Sequence, residues 1–347
     1  MTLAQFKAVP RKVMRLSDDQ MVRMGDLGTG SSLPLVIEPS SGPVDLIAWA
    51  EAHREDLKSR LSQQGGILFR GFQIGSVEDF ERFVVASCGG SLEYKERSSP
   101  RSQVSGRIYT STDYPPEMPI FLHNEQSYSL TFMLRILFFC LTEAESGGAT
   151  PIADVRKVYQ RIDPVIRRRF AEEGYLYVRN FGDGFGLSWQ EAFKTENPAD
   201  VEAYCRSNEI ELEWKDGGRL RTRQLRRAVG RHPQSGEPVW FNHLTFFHVT
   251  TLAPQVRDSL RSAFAEEDLP NNTYHADGSP IAPEVMEHLR QAYQAETLSF
   301  PWKKGDILML DNMLTAHGRE SFTGARKVVV GMAEPCLWAD IENVIEG

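Results

Sequence analysis

The chain has 347 residues, 41% of them apolar and 25% charged, with a formal net charge of −8. That is enough for a sizeable core in one or two domains, and too acidic for coating a nucleic acid, which needs a basic footprint. The cysteines Cys88, Cys140, Cys205 and Cys336 form no C-x-x-C, which excludes a zinc ribbon or disulfide scaffold and predicts reduced thiols in a cytoplasmic protein. No apolar run approaches the ~18 residues of a membrane span, and the N-terminus lacks the apolar stretch of a signal peptide.

Residues 1–32 read as an irregular, glycine-rich lead-in. Three- and four-residue apolar steps predict one helix over 45–61, ended by Gly65-Gly66. A short buried strand follows at 67–69, then a helix over 77–86 with Ser76 as its N-cap. Residues 94–119 turn to Ser, Arg, Pro and Gly and predict a long loop. Strands are expected at 120–125, 135–141 and 150–153, a helix over 155–173 and a strand at 175–178. The stretch 185–235 mixes helix, short strands and an arginine-rich segment. Beyond it come a strand at 239–241, a helix over 254–267, a polar loop over 271–280 and a helix over 283–297. Strands at 307–310 and 327–332 close the series. Many short strands with helices near both ends and in one middle insertion predict an α+β chain. Its core is expected to be a β-sandwich or a jelly roll (double-stranded β-helix) with flanking helices. There is no G-x-G-x-x-G, P-loop or G-x-S-x-G to support a nucleotide-binding or serine-hydrolase reading.

The chemistry-bearing pattern is His-x-Asp/Glu, which on a strand puts both side chains on one face. It occurs three times. His53-Arg54-Glu55 falls in a helix, where i and i+2 diverge, and His275-Ala276-Asp277 precedes the turn signature Gly278-Ser279-Pro280. His123-Asn124-Glu125 follows the apolar run Ile120-Phe121-Leu122 and can aim both side chains inward. A mononuclear iron(II) oxygenase uses two histidines and one carboxylate on one face of the metal. Of the remaining histidines, His232 and His288 read as surface residues, and His243 and His248 as core or pocket residues. His317, after the strand at 307–310, is the candidate third ligand. Arg326 opens the strand at 327–332 and could hold an oxoacid carboxylate; taken alone it reads equally as a surface arginine.

The runs HNEQSYS, FFCLTEAESGGATPIADVRKVY, VWFNH and FPWKKGDILMLDNMLTAHGRESFTGARKVVVGM together resemble the taurine/2-oxoglutarate dioxygenase superfamily. Within it they are similar to the clavaminate synthase-like branch with its syringomycin-type amino-acid hydroxylases. The resemblance runs from about Gly65 to Met332. It implies iron(II) held by His123, Glu125 and His317, with 2-oxoglutarate and O2 as co-substrates. It also gives Thr150, 27 residues after His123, and Arg326, nine after His317, to the 2-oxoglutarate carboxylate. The short spacing implies a tight hairpin from His317 to Arg326, with Arg319 as the competing arginine. The carboxylate at Glu125 argues against the halogenase variant, which leaves that position open to chloride. The implied reaction is oxidation, most often hydroxylation, of an aliphatic C–H coupled to decarboxylation of 2-oxoglutarate.

Substrate reading is thinner. Arg101 in the long loop, Asn124 and Tyr128 beside the metal pair, and Trp240, Asn242 and His243 are candidate pocket residues, and core packing is the competing reading for the aromatics. Branch members imply an amino-acid-like substrate, free or tethered to a carrier protein, in natural-product biosynthesis. A catabolic dioxygenase of a small anion, a zinc hydrolase and a non-catalytic jelly-roll binding module are the alternatives. The arginines at 219, 221, 223, 226, 227 and 231 read as a solvated face or as a dock for an acidic carrier protein or a substrate carboxylate. The chain is expected to be a single dioxygenase domain over 1–347, acting on small or carrier-bound molecules and on neither nucleic acid nor membrane. Residues 180–235 are expected to form a lid with few buried contacts over the metal.

Overall fold

A computed structural model describes residues 21–90, 103–105, 108–110, 114–182, 184 and 186–344. Its strands in chain order are β1 (Val22–Gly25), β2 (Leu35–Pro39), β3 (Gly66–Phe69), β4 (Gln103–Ser105), β5 (Ile108–Thr110), β6 (Ile120–His123) and β7 (Thr131–Thr142). There follow β8 (Ser146–Gly147), β9 (Ile152–Asp154), β10 (Tyr175–Phe181), β11 (Glu211–Lys215), β12 (Arg219–Arg226), β13 (Val229–Arg231) and β14 (Pro238–Trp240). The last are β15 (Asn271–His275), β16 (Thr297–Leu298), β17 (Ile307–Asp311), β18 (Thr315–Arg319), β19 (Phe322–Thr323) and β20 (Lys327–Leu337).

An eight-stranded sheet runs β1-β2-β3-β17-β7-β20-β5-β4, and a four-stranded sheet runs β16-β9-β18-β6. Period-two alternation builds the layers between them. Leu137, Phe139, Ile307, Met309 and Val329 point from the large sheet onto the helices Leu46–Ala52, Arg54–Gln64 and Val77–Cys88. Their neighbours Ile136, Phe138, Cys140, Leu308, Leu310, Val328 and Val330 face inward and meet Ile152 of β9. The far side of the small sheet, with Ala153 and Ala316, is covered by helices Val155–Arg161 and Pro283–Ala295. A third sheet, β11-β12-β10-β15, stands apart from both and carries the middle insertion.

Local chemistry explains several boundaries. Ser76 caps its helix by accepting from Asp79 N. Gly65 ends the helix Arg54–Gln64 with φ of 82°, and a Cβ there would sit 2.6 Å from Thr315 Oγ1.

Other expectations are corrected. The helix expected over 45–61 breaks at His53, whose ring stacks on Trp49. The one over 155–173 breaks at Asp163-Pro164, because proline restricts the preceding residue and Asp163 then caps a new helix. Residues 22–25, read as lead-in, form β1, and the loop over 94–119 contains β4 and β5. Residues 271–275, read as polar loop, form β15: the side chains of Asn272 and Thr273 satisfy Val249 N and Leu244 O, so polarity hid a buried strand. Residues 180–235 do not have the expected scarcity of buried contacts. Phe181, Trp189, Val201, Cys205, Ile210 and Leu220 give that segment a core of its own. Among the described residues, no helix is long and apolar enough to cross a membrane.

Candidate metal centre

The short strand β6 delivers His123, and its antiparallel partner β18 delivers His317 directly opposite. The two rings lie 4.5 Å apart between centroids. Glu125 arrives differently from the strand alternation expected of it. β6 stops at His123, and residues 124–129 form consecutive tight turns, with Gln126 at φ of 57°. Asn312, just after β17, holds that turn. Its Oδ1 accepts from Glu125 N at 2.8 Å, and its Nδ2 donates to Glu125 O at 2.8 Å and Met133 O at 2.9 Å.

The result is a convergence of two imidazoles and one carboxylate, all buried, with ligand atoms within 4.8 Å of one another. His123 Nδ1–H donates to Phe121 O at 2.9 Å, which leaves Nε2 as the lone-pair nitrogen, 3.9 Å from Glu125 Oε2. Phe138 and Phe246 crowd the two histidine rings at 5.0 and 4.6 Å. Two imidazole nitrogens and one carboxylate oxygen, with His123 anchored from behind and both rings walled by aromatics, fit a first-row divalent metal with part of its coordination left to other molecules.

Arg326 and Thr150 form a second focus. Arg326 Nε donates to Gly148 O at 2.7 Å and its Nη2 approaches Thr150 Oγ1 at 3.4 Å, while Trp302 Nε1 donates to the same hydroxyl at 3.1 Å. Burial, and after it the Arg319 charge, pull the Arg326 guanidinium down to about 10. A desolvated cation of this kind favours an anionic visitor. The expected hairpin from His317 to Arg326 is corrected: β18 and β20 belong to different sheets, and the chain crosses between them through β19. Nor does β20 lie beside β17, since β7 runs between them. Arg319, the competitor, donates to the carbonyls of Tyr114, Pro115 and Met118.

The remaining candidates divide. His243 packs 5.5 Å from His123 and hydrogen-bonds Ser127 Oγ through Nδ1 at 2.6 Å. Tyr128 is fully buried against His243, Phe247 and Tyr177. Asn124 turns its Nδ2 onto Asn312 O, and Asn242 bridges Ala228 O and Leu244 N, so both side chains hold backbone. Trp240 packs edge-on to Phe170 in the core. Arg101 lies outside the described residues.

The arginine-rich segment is only in part the solvated face expected: Arg219, Arg223 and Arg231 stay partly exposed, while three of its arginines bind other segments. Arg221 pairs with Asp268, Arg226 donates to the carbonyls of Tyr128 and Asn208, and Arg227 to those of Trp338 and Ile341. His232 is not a surface residue: it is buried against Asp311, which also pairs with Arg135. His275 is buried too, stacked on Phe170. Sequence reasoning gave no role to Asn312, although it stands beside Asp311 in the quoted run, and none to Phe246 or Phe247.

Comparison with known proteins gives a consistent picture. Residues 31–333 match the family described as taurine catabolism dioxygenase TauD, TfdA family. The dapdiamide synthesis protein DdaC of Enterobacter agglomerans is 41% identical over 283 residues, covering 82% of this chain and 86% of that protein. A clavaminate synthase-like protein of Arabidopsis thaliana is 28% identical over 319 residues, covering 87% and 93%. The structure of PvcB from Pseudomonas aeruginosa superposes with a TM-score of 0.54 at 18% identity, covering 92% of each chain.

Proposed function

Because the chain belongs to the TauD/TfdA dioxygenase family, it is an iron(II)- and 2-oxoglutarate-dependent oxygenase, and we propose that His123, Glu125 and His317 hold its iron. The observation that carries the assignment is the buried convergence of these three side chains within 4.8 Å. When bound, iron supplies the activation of O2 and of 2-oxoglutarate that the protein groups lack.

The chain's own residues do the rest. Phe121 O fixes the tautomer of His123, and Asn312 fixes the backbone that presents Glu125. Arg326 and Thr150 receive the remote carboxylate of 2-oxoglutarate, the guanidinium supplying charge and the hydroxyl orientation. Phe138 and Phe246 keep water from the histidine rings.

The two facing sheets are read as a double-stranded β-helix within a single domain, since the eight-stranded sheet draws strands from both ends of the described chain. The substrate is an amino-acid-like molecule, free or carrier-tethered, oxidised at an aliphatic C–H in natural-product biosynthesis. The similarity to a dapdiamide synthesis protein supports this. The part of the 180–235 segment that owns a core, from Phe181 to Leu220, closes over the site as one packed body rather than as a loose loop. Hydrogen exchange that slows throughout the segment on substrate binding is the expected sign of closure. Exchange that is slow with and without substrate leaves a fixed cap.

The deciding assay is succinate release from 2-oxoglutarate with iron(II), alongside iron(II) titration of His317→Ala and Glu125→Ala. Both variants are expected to lose iron binding and turnover while keeping the fold. Tight iron binding by either would remove the assignment. No succinate release with iron(II), together with zinc-dependent hydrolysis in a separate assay, would point to a hydrolase instead.

A further inference from the structure

The sheet β11-β12-β10-β15 has one outward and one inward face, and register separates them. Asn180, Arg221 and Arg223 lie on the outer face, where Arg221 Nε donates to Asn180 Oδ1. On the inner face stand Tyr175, Tyr177, Arg179 and Phe181, opposite Arg226, Gln224, Thr222 and Leu220. The Tyr175–Tyr177 end of this face looks toward the metal centre, while Phe181 and Leu220 at the other end pack into the insertion's own core. Arg226 Nε donates to Tyr128 O, and Tyr177 stacks flat on Phe247 at 4.2 Å. Phe247 lies 4.6 Å from His243, the residue beside His123. Arg179 is two residues beyond Tyr177, about 7 Å farther along the strand.

Arg179 is 5% exposed, and among the described residues no carboxylate lies within ion-pair reach of it. Its guanidinium rests over Phe181 at 4.6 Å, and its Nε finds no hydrogen-bond partner. Directly opposite, Thr222 Oγ1 is buried without a partner, as is Gln224 Oε1 opposite Tyr177. Thr245 Oγ1, on the helix Leu244–Phe247 that packs against β10, is a fourth such atom. Buried arginines are ordinarily paired, because an uncompensated charge is costly. Several unsatisfied polar atoms on one inward face mark a place where another molecule completes the bonding.

We propose that Arg179, with Thr222 and Gln224, docks a carboxylate of the substrate. The guanidinium fork takes the two oxygens, Thr222 Oγ1 adds a donor, and Gln224 Oε1 accepts from an adjacent ammonium. An α-amino acid carries both groups side by side. The inference rests on the amino-acid reading above and makes it specific. It uses none of the residues assigned to iron or 2-oxoglutarate. The carboxylate has two sources: the α-carboxylate of a free amino acid, or a side-chain carboxylate of one whose α-carboxyl is bound as a thioester.

The test measures equilibrium binding to the iron(II)- and 2-oxoglutarate-loaded enzyme under nitrogen. The probes are the twenty common L-amino acids, their C-terminal amides, the N-acetylcysteamine thioesters of Asp and Glu, and straight-chain carboxylic acids. The proposal expects wild type to bind at least one acid tenfold or more tightly than its amide. Arg179→Gln should bring acid and amide within about twofold, with Arg179→Lys between. A preference confined to free amino acids identifies the α-carboxylate. One retained by the Asp or Glu thioesters identifies the distal group. An Arg179-dependent preference seen only with the straight-chain acids keeps the dock and overturns the amino-acid reading. A preference that survives Arg179→Gln, or no acid preference in wild type, overturns the dock. Thermal unfolding guards against a structural role: without substrate, Arg179→Gln should melt at or above the wild-type temperature. A large fall would show that Arg179 holds the fold and would overturn the proposal.

Discussion

Replacing Asn312 tests how the Glu125 turn is held. Its side chain makes three buried hydrogen bonds: it accepts from Glu125 N and donates to Glu125 O and Met133 O. Asn312→Ala strands one amide and two carbonyls, each costing ~1–3 kcal/mol when buried and unsatisfied, for a total of about 3–9 kcal/mol. That is a large share of the ~5–15 kcal/mol that holds a typical domain together. Asn312→Asp is no gentler: it keeps the acceptor for Glu125 N but sets a carboxylate against both carbonyls. Because the turn presents a ligand, iron affinity should fall as well, by about 10- to 100-fold, as for other groups behind metal ligands. Urea unfolding measures the first quantity, and anaerobic iron(II) titration without 2-oxoglutarate measures the second. A loss of stability below ~1 kcal/mol would refute the hydrogen-bond reasoning. A full loss of stability with iron affinity unchanged would show that Asn312 holds the fold and not the ligand.

Arg326→Ala should raise the 2-oxoglutarate requirement at least tenfold, since ~1.4 kcal/mol already gives that factor; Arg319→Ala should mainly lower the unfolding temperature, because its bonds go to backbone carbonyls. A reversed pattern in the succinate assay would exchange their roles. His248 is pulled down to about 4 by burial, then by Arg290 and Arg261. Its Nδ1 accepts from Thr250 N, and from the Thr250 hydroxyl that itself accepts from Arg290. The folded state thus prefers the neutral ring. Stability from this group is complete above pH ~6.5 and is lost as pH falls toward 4, by roughly 3 kcal/mol, and urea midpoints for His248→Asn should lose that slope. Gly65→Ala should cost more than ~1 kcal/mol through its left-handed backbone and displace Thr315; an unchanged urea midpoint would contradict that geometry.

Much of the site was legible because its residue types are rare in combination. His123-x-Glu125 stood out against the other two such pairs because only it followed a short apolar strand. The three side chains do converge, though not by the strand alternation expected of Glu125. Glu125 faces the histidines through a turn pinned by Asn312, a tertiary bond that no local pattern carries. The same limit hid β15, whose polar side chains satisfy backbone groups from other segments. It also turned Arg221 and Arg226 of β12 from an imagined surface patch into buried ties. Asp311 and Arg135 likewise bury His232, which its Pro-Gln-Ser-Gly context placed at the surface. Helix interruptions at His53 and Asp163 were missed because apolar spacing continues across them.

The sheet β11-β12-β10-β15 shares no strand with the eight-stranded sheet or with the one that carries His123 and His317. Whatever this third sheet recognises can therefore be exchanged without rebuilding the chemistry. Exchanging the inner-face side chains of β10 and β12 should carry the choice of molecule, whereas a graft of the whole span from β10 to β15 would also replace His243 and Phe246 beside His123. Divergence in this architecture has a natural seam, with drift tolerated on one side and penalised on the other.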